Sequence, residues 1–137
     1  MQLSPEVRAF LQTPFIARLS VIDPNGFPHT VPLWFDVEGD DIIIISDRNT
    51  KKIPYIDANP KACICVGGGE TADGVAGPGY LFKGEAFNEE DPGFYWLRRM
   101  TLRYEQGEKA EQDIELWRTT LDMMIIRFKV QKVSKVA

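Results

Sequence analysis

The chain of 137 residues is 44% hydrophobic and carries 16 basic and 20 acidic side chains, for a net charge of −4. A chain of this size buries one core and no low-complexity linker divides it, so we predict a single domain over residues 1–137. The acidic balance argues against a nucleic-acid partner. With no run of eighteen apolar residues and no basic, apolar leader, we expect a cytoplasmic protein that does not associate with membranes.

The first part of the chain is predicted to form a helix and a β-hairpin. A hydroxyl residue followed by proline is typical of a helix start, and we predict a helix over residues 5–12. Residues 16–22 alternate apolar and polar side chains, and the segment DPNG after them has turn chemistry. The hairpin is therefore predicted to continue with one strand over residues 28–37.

The middle of the chain alternates predicted strands with a short helix and a loop. Strands are predicted over residues 42–46 and 62–66, separated by a short helix that ends near Asn59. Between Gly67 and Gly79, six of thirteen positions are glycine, which predicts a mobile loop.

The last part of the chain is predicted to add two strands and two helices. A strand over residues 80–87 is followed by a helix that begins at Asp91 and a second helix over about residues 108–119. From Met123 onwards apolar and polar residues alternate, as in a strand with one buried face. Six strands in total predict an α+β fold, a six-stranded antiparallel β-barrel with short flanking helices.

The segment between the strand at residues 42–46 and the short helix concentrates positive charge around a hydroxyl. Arg48, Lys51 and Lys52 surround Thr50 where the strand ends and the helix begins. Outward N–H groups at a helix start, together with cations and a hydroxyl, favour a phosphate. On position alone, however, cations at such a junction are more often solvated surface residues.

Several kinds of catalytic site are excluded by the residue inventory. His29 is the only histidine, so zinc sites with several histidines and paired-histidine relays are excluded, and we predict no metal site. Neither nucleotide-binding glycine fingerprint is present, and no G-x-S-x-G occurs. Cys63 and Cys65 are expected to be buried, reduced thiols. No catalytic acid, base or nucleophile is assigned.

The order of these features resembles the pyridoxamine 5′-phosphate oxidase-like superfamily, the flavin-binding split barrels. The resemblance covers residues 7–136 and is best over residues 23–66, where it is carried by DPNGFPHTVPLWF, TKK and IDANPKACICV. It implies a split barrel that forms a homodimer, with two flavin-type cofactors at the subunit interface. The cofactor phosphate would lie on the strand-to-helix junction of one subunit.

The resemblance also implies individual cofactor-binding residues. Lys52 matches the phosphate-binding lysine of the family, Thr50 and Lys51 occupy the places of its common serine and arginine, and Ser46 is the hydroxyl residue that ends the strand. The strand along the cofactor ring would comprise Thr30, Val31, Pro32, Leu33 and Trp34. In this context a phosphate site is favoured over plain surface.

Two departures from the vitamin-processing oxidases bear on function. Thr30 and Phe35 stand where arginine and lysine are expected, and the sequence ends at Ala137 without the C-terminal arginine-containing substrate segment. Oxidation of pyridoxamine phosphate is therefore not expected.

The resemblance implies an FMN-binding flavoprotein, an oxidoreductase that exchanges electrons with an unidentified small molecule. The alternatives are a deazaflavin-dependent reductase of the same fold and a non-catalytic flavin-binding or sensing module. Some related barrels bind haem, for which His29 would be the only axial ligand.

Overall fold

The computed structural model describes residues 1–69 and 77–136, which form one antiparallel sheet and four α-helices. The elements in chain order are α1 Pro5–Phe10, β1 Ala17–Ile22, β2 Pro28–Leu33, β3 Phe35–Glu38, β4 Asp41–Asp47, α2 Lys52–Ala58, β5 Lys61–Gly67, β6 Gly79–Glu89, α3 Tyr95–Tyr104, α4 Gly107–Thr120 and β7 Met123–Val136. None of the helices in this described part is long and apolar enough to cross a membrane. Residues 70–76, the centre of the predicted mobile loop, lie outside the described residues.

The sheet has the strand order β2-β1-β5-β6-β7-β4-β3, and every neighbouring pair is antiparallel. The two edge strands, β2 and β3, are consecutive in the chain and are joined by Trp34 alone. A single residue spans only about 3.5 Å, so the two edges of the sheet must meet at this point. The sheet is therefore curled into a barrel-like shape, as the α+β prediction requires.

The prediction of six strands was wrong by one, because the strand predicted over residues 28–37 is two strands. Residues 28–33 pair with β1, whereas residues 35–38 pair with β4 at the opposite edge of the sheet. The pairing partner changes at Trp34, which belongs to neither ladder. The number of strands in the described part is therefore seven.

The four consecutive isoleucines of β4 are buried on both faces of the sheet. Ile42 and Ile44 lie in the core inside the curled sheet, with the alternating apolar residues of β1 and β7. Ile43 and Ile45 pack outside it, against Trp96, Leu97 and Met100 of α3. Because a strand places successive side chains on opposite faces, an uninterrupted apolar run is the pattern of a strand buried on both sides.

Polar side chains satisfy N–H groups in the first turns of α1 and α3. Ser4 Oγ accepts a hydrogen bond from Val7 N at 3.2 Å at the start of α1, as its sequence predicts. The buried Asp91 accepts hydrogen bonds from Trp96 N at 2.9 Å and Leu97 N at 3.0 Å. This carboxylate therefore satisfies two N–H groups of the first turn of α3, the helix that covers the outer face of β4.

The two cysteines are free, as predicted, but they are not buried. Cys63 and Cys65 are partly exposed because they lie on the outward face of β5, whereas Ala62, Ile64 and Val66 face the core. The apolar run around them therefore alternates between inside and outside rather than lying wholly within the core.

Candidate functional site

A cavity of about 560 Å³ lies between the ends of β2 and β4, the start of α2 and the end of α4. We call it the Lys52 cavity. Its polar end is formed by Ser46, Asp47, Thr50 and Lys52. The remaining lining is apolar and comprises Ile16, Pro32, Leu33, Trp34, Ile45, Trp117, Leu121 and Met123. Its volume is within the range of sites that hold small molecules and cofactors.

The polar end is built on the turn between β4 and α2. Thr50 N donates to Asp47 O at 3.3 Å, and Thr50 Oγ1 donates to the same carbonyl at 2.9 Å. The Ser46 hydroxyl also donates to Asp47 O, at 3.0 Å, and lies 3.2 Å from Thr50 Oγ1. The turn therefore places two hydroxyl groups side by side at the end of β4.

Lys52 is the first residue of α2 and points its ammonium group towards these hydroxyls. Its Nζ donates to Thr50 Oγ1 at 3.0 Å, and the residue is only 6% exposed. Burial lowers the pKa of Lys52, and the charge of nearby Asp47 opposes this shift. Within residues 1–69 and 77–136, no acidic side chain forms an ion pair with Lys52. The site is therefore suited to an anion.

Pro54 is compatible with the observed start of α2. The helix begins at Lys52, so Pro54 is its third residue and lies in the first turn, where no intrahelical N–H donor is needed. The helix is only seven residues long, and the residue before it makes no side-chain cap. The positive charge of this end of the cavity therefore comes mainly from the Lys52 ammonium rather than from the helix.

The apolar end of the cavity is dominated by two tryptophans. The ring of Trp34 stacks on Tyr104 of α3 with a centroid distance of 4.8 Å and an interplanar angle of 3°. Trp117 of α4 contacts Trp34 edge to face at 5.6 Å. Helices α3 and α4 thus hold an aromatic wall of the cavity, and this wall is well suited to a planar ring system.

Six of the nine predicted cofactor-binding residues line the Lys52 cavity, and three do not. The six are Ser46, Thr50, Lys52, Pro32, Leu33 and Trp34. Thr30 is exposed, with its hydroxyl 2.8 Å from Ser20 Oγ, Val31 is half-buried in the β2 ladder, and Lys51 is exposed. Phe35, where the resemblance expects a lysine, is fully buried in the core.

Arg48 does not reach the cavity, although the sequence grouped it with the two lysines. Its guanidinium donates to Asp122 Oδ2 at 3.0 Å and to both carboxylate oxygens of Glu90, and its backbone N–H donates to Asp122 O at 2.8 Å. These hydrogen bonds raise the pKa of Arg48. Arg48 therefore ties the polar turn to the start of β7, the strand that contributes Met123 to the cavity.

The part of the site that comes from the end of α4 could not be predicted from the sequence. Trp117 and Leu121 line the cavity only because α4 folds back against α3, and the sequence marks them simply as apolar residues. His29, the haem-ligand candidate, does not line the cavity and packs edge to face against Tyr55 at 5.5 Å. The described residues contain no cluster of three or more side chains suited to hold a metal ion.

The chain matches a known protein family over nearly its whole length. The sequence profile of the family described as pyridoxamine 5′-phosphate oxidase matches residues 3–137. The chain belongs to this family. The resemblance seen in the sequence is therefore confirmed at the level of the family, which comprises proteins of several functions. No curated protein sequence matches the chain.

Solved structures with the family fold superimpose on nearly the whole chain. The conserved hypothetical protein Rv2991 from Mycobacterium tuberculosis is 19% identical, with a TM-score of 0.75 over 98% of this chain and 84% of its own. An F420 reductase is 20% identical, with a TM-score of 0.70 over 93% and 94%. HutZ, a haem storage protein from Vibrio cholerae, is 19% identical, with a TM-score of 0.69 over 98% and 94%. At these identities the likeness establishes the fold alone.

Proposed function

We propose that the Lys52 cavity binds FMN and that the protein is a flavin-dependent oxidoreductase acting on a small molecule. The observation that carries this proposal is a buried ammonium group that forms no ion pair within the described residues, in a cavity whose apolar lining includes two tryptophans. FMN has the same two parts, a phosphate and a planar ring system. Membership of the pyridoxamine 5′-phosphate oxidase family supports the same cofactor.

The residues present fit the two parts of this cofactor. Lys52 would form a charge-assisted hydrogen bond with the phosphate, and the Thr50 and Ser46 hydroxyls would donate to its oxygens. Leu33, Trp34 and Trp117 would border the ring system and keep water away from it.

A bound flavin supplies hydride or single-electron transfer, and the protein supplies position and electrostatics. Lys52 would offset part of the phosphate charge and so anchor the cofactor at a distance from the reacting ring. The apolar wall favours a substrate that is itself apolar or planar, because a charged substrate would lose hydration there without a compensating partner.

We further propose that two copies of the chain form a homodimer that covers the cavity. The rim of the Lys52 cavity includes the exposed apolar residues Pro32 and Leu121. Exposed apolar groups of this kind favour association with a partner surface. The family resemblance supports a second copy of this chain as that partner.

The proposal is tested by titrating the purified protein with FMN and with coenzyme F420, using haem as a third ligand. Selective binding of FMN supports the proposal, and selective binding of F420 would indicate the deazaflavin reductase whose fold the chain shares. Bleaching of the bound flavin by a reduced nicotinamide under anaerobic conditions would support the oxidoreductase. A flavin that binds but resists reduction would indicate a binding or sensing module. Failure to bind either flavin would refute the proposal.

A further inference from the structure

Trp34 occupies a place in the fold where the sheet does not fix its side chain. It is the single residue between β2 and β3, and it belongs to neither strand ladder. The side chains of a paired strand alternate between the two faces of the sheet, whereas no strand pairing sets the direction of a residue between two ladders. The position of the Trp34 ring, which lines the Lys52 cavity, therefore depends on side-chain contacts.

Tyr104 makes contacts of the kind required. Its ring stacks on Trp34 at 4.8 Å and 3°. Its hydroxyl accepts a hydrogen bond from Phe35 N at 3.1 Å and donates to Phe15 O at 2.5 Å. Phe35 follows Trp34 in the chain, and Phe15 precedes the cavity residue Ile16. Tyr104 thus holds both the Trp34 ring and the backbone next to Trp34 and Ile16, two residues that line the cavity.

The hydroxyl of Tyr104 is well suited to this task at neutral pH. Burial raises the pKa of Tyr104, so the group keeps its proton and can donate and accept at the same time. Tyr104 does not line the Lys52 cavity and would not touch a bound molecule there.

We propose that Tyr104 is a positioning residue that fixes the Trp34 ring as the wall against which the flavin ring binds. The part that concerns flavin rests on the proposed function, whereas the part that concerns Trp34 does not. Removing the hydroxyl leaves the stacked ring but releases the backbone on both sides of the wall. Removing the whole aromatic ring also abolishes the stack.

The matched control is Tyr95, which lies on the same helix. It is 54% exposed, and its hydroxyl accepts a hydrogen bond from Arg99 Nη1 at 3.0 Å. Tyr95→Phe therefore removes a hydrogen bond of a tyrosine hydroxyl on α3 without changing the cavity wall. A general loss of stability in α3 would appear in both variants, whereas loss of positioning would appear only in variants of Tyr104.

The first measurement compares the dissociation constants of FMN and riboflavin by flavin fluorescence titration. Tyr104→Phe should weaken both ligands about three- to tenfold, because the Trp34 wall that borders their common ring system is held less firmly, and their affinity ratio should not change. Tyr104→Leu should weaken both further. Lys52→Met, in contrast, should weaken FMN but not riboflavin. Tyr95→Phe should match the wild type.

The second measurement does not need a cofactor. In protein labelled with 5-fluorotryptophan, the ¹⁹F resonance of Trp34 is assigned by its loss in Trp34→Phe. It should shift or broaden in Tyr104→Phe but not in Tyr95→Phe. An unchanged Trp34 resonance in Tyr104→Phe would overturn the proposal, as would a Tyr104→Phe variant that binds both flavins like the wild type. If wild-type protein binds neither flavin, the proposed function fails, and the Trp34 resonance alone decides whether Tyr104 positions the ring.

Discussion

Replacing Lys52 with methionine should weaken FMN binding and, at the same time, stabilise the protein without cofactor. Methionine has nearly the length of lysine and fills the same buried space, but it carries no charge. In the absence of an anion, the Lys52 ammonium has one hydrogen bond within the described residues, to Thr50, and no ion pair. The buried ammonium that suits the site to a phosphate therefore lowers the free energy of unfolding when no phosphate is bound.

The expected changes in FMN affinity and in the free energy of unfolding follow from the contacts that Lys52→Met removes. A hydrogen bond between the ammonium and a phosphate contributes about 1.5–3 kcal/mol, so its loss should weaken FMN binding about ten- to a hundredfold. Removing the buried charge should raise the free energy of unfolding by about 1 kcal/mol, because the desolvation cost exceeds the single bond to Thr50. In a domain of this size that change corresponds to about 4 °C in melting temperature.

The stability difference between Lys52→Met and the wild type should depend on pH in a defined direction. Because burial lowers the pKa of Lys52, the unfolded chain binds more protons than the folded one between this lowered pKa and the ordinary value of 10.5. The wild type therefore gains stability as the pH rises through that window. The advantage of Lys52→Met should be greatest at neutral pH and should shrink towards pH 10.5. Asp47 is the charged group that acts on Lys52 in the folded protein.

The assay combines flavin fluorescence titration with urea unfolding at one fixed protein concentration, which removes effects of association. Lys129→Met is the matched control, because Lys129 is 58% exposed and lies far from the cavity lining, with Asp41 as its partner. It should bind FMN like the wild type. Equal FMN dissociation constants for the two variants would refute the phosphate site. A Lys52→Met protein less stable than the wild type would show that the ammonium is satisfied within the protein.

Three further predictions concern assembly, chemistry and folding. Light scattering of the protein at micromolar concentrations should give twice the chain mass, and a monomeric mass would eliminate the proposed dimer. FMN-loaded protein should not convert pyridoxamine phosphate to pyridoxal phosphate, because Lys52 is the only cation in the described lining of the cavity and the cofactor phosphate would occupy it; turnover of about 1 s⁻¹ or faster would contradict this reasoning. Asp91→Ala should lower the free energy of unfolding by about 2 kcal/mol, because two N–H groups of α3 lose their acceptor. In urea unfolding, Asp91→Asn should lie between Asp91→Ala and the wild type, and a change below about 0.5 kcal/mol in Asp91→Ala would show that the cap is dispensable.

The strands could be predicted from the sequence because alternation is a local property, but the crossing at Trp34 could not. Val31, Leu33, Phe35 and Val37 continue the same alternation through the break, so nothing in the pattern changes where the chain leaves one edge and joins the other. The change of partner is decided by the closure of the whole sheet. The alternation of apolar and polar residues along a strand does not show which strand it pairs with, so this change of partner could not be predicted.

The polar half of the candidate site was likewise accessible from the sequence, and the aromatic half was not. Ser46, Thr50 and Lys52 lie within seven consecutive residues, so one turn of the chain brings them together. Trp117 is far away in the sequence and reaches the cavity through the packing of α3 and α4. Arg48 was wrongly grouped with the two lysines on the basis of its charge and its position in the sequence. Its guanidinium forms ion pairs with Glu90 and Asp122 and does not reach the cavity.

Trp34 alone connects β2 to β3, so no loop is present to take up a change in chain length at the point where the sheet closes. An extra residue there would shift either β2 against β1 or β3 against β4 by one position, and a shift of one position exchanges the two faces of a strand. Phe35 would then leave the core, or Leu33 would leave the cavity. The β1–β2 turn is exposed at Gly26 and Phe27, and its hydrogen bonds lie within residues 23–27, so an added residue there can be accommodated outside the two strands. Changes in loop length should therefore be tolerated at this turn, whereas the Trp34 crossing should accept substitutions but not insertions or deletions.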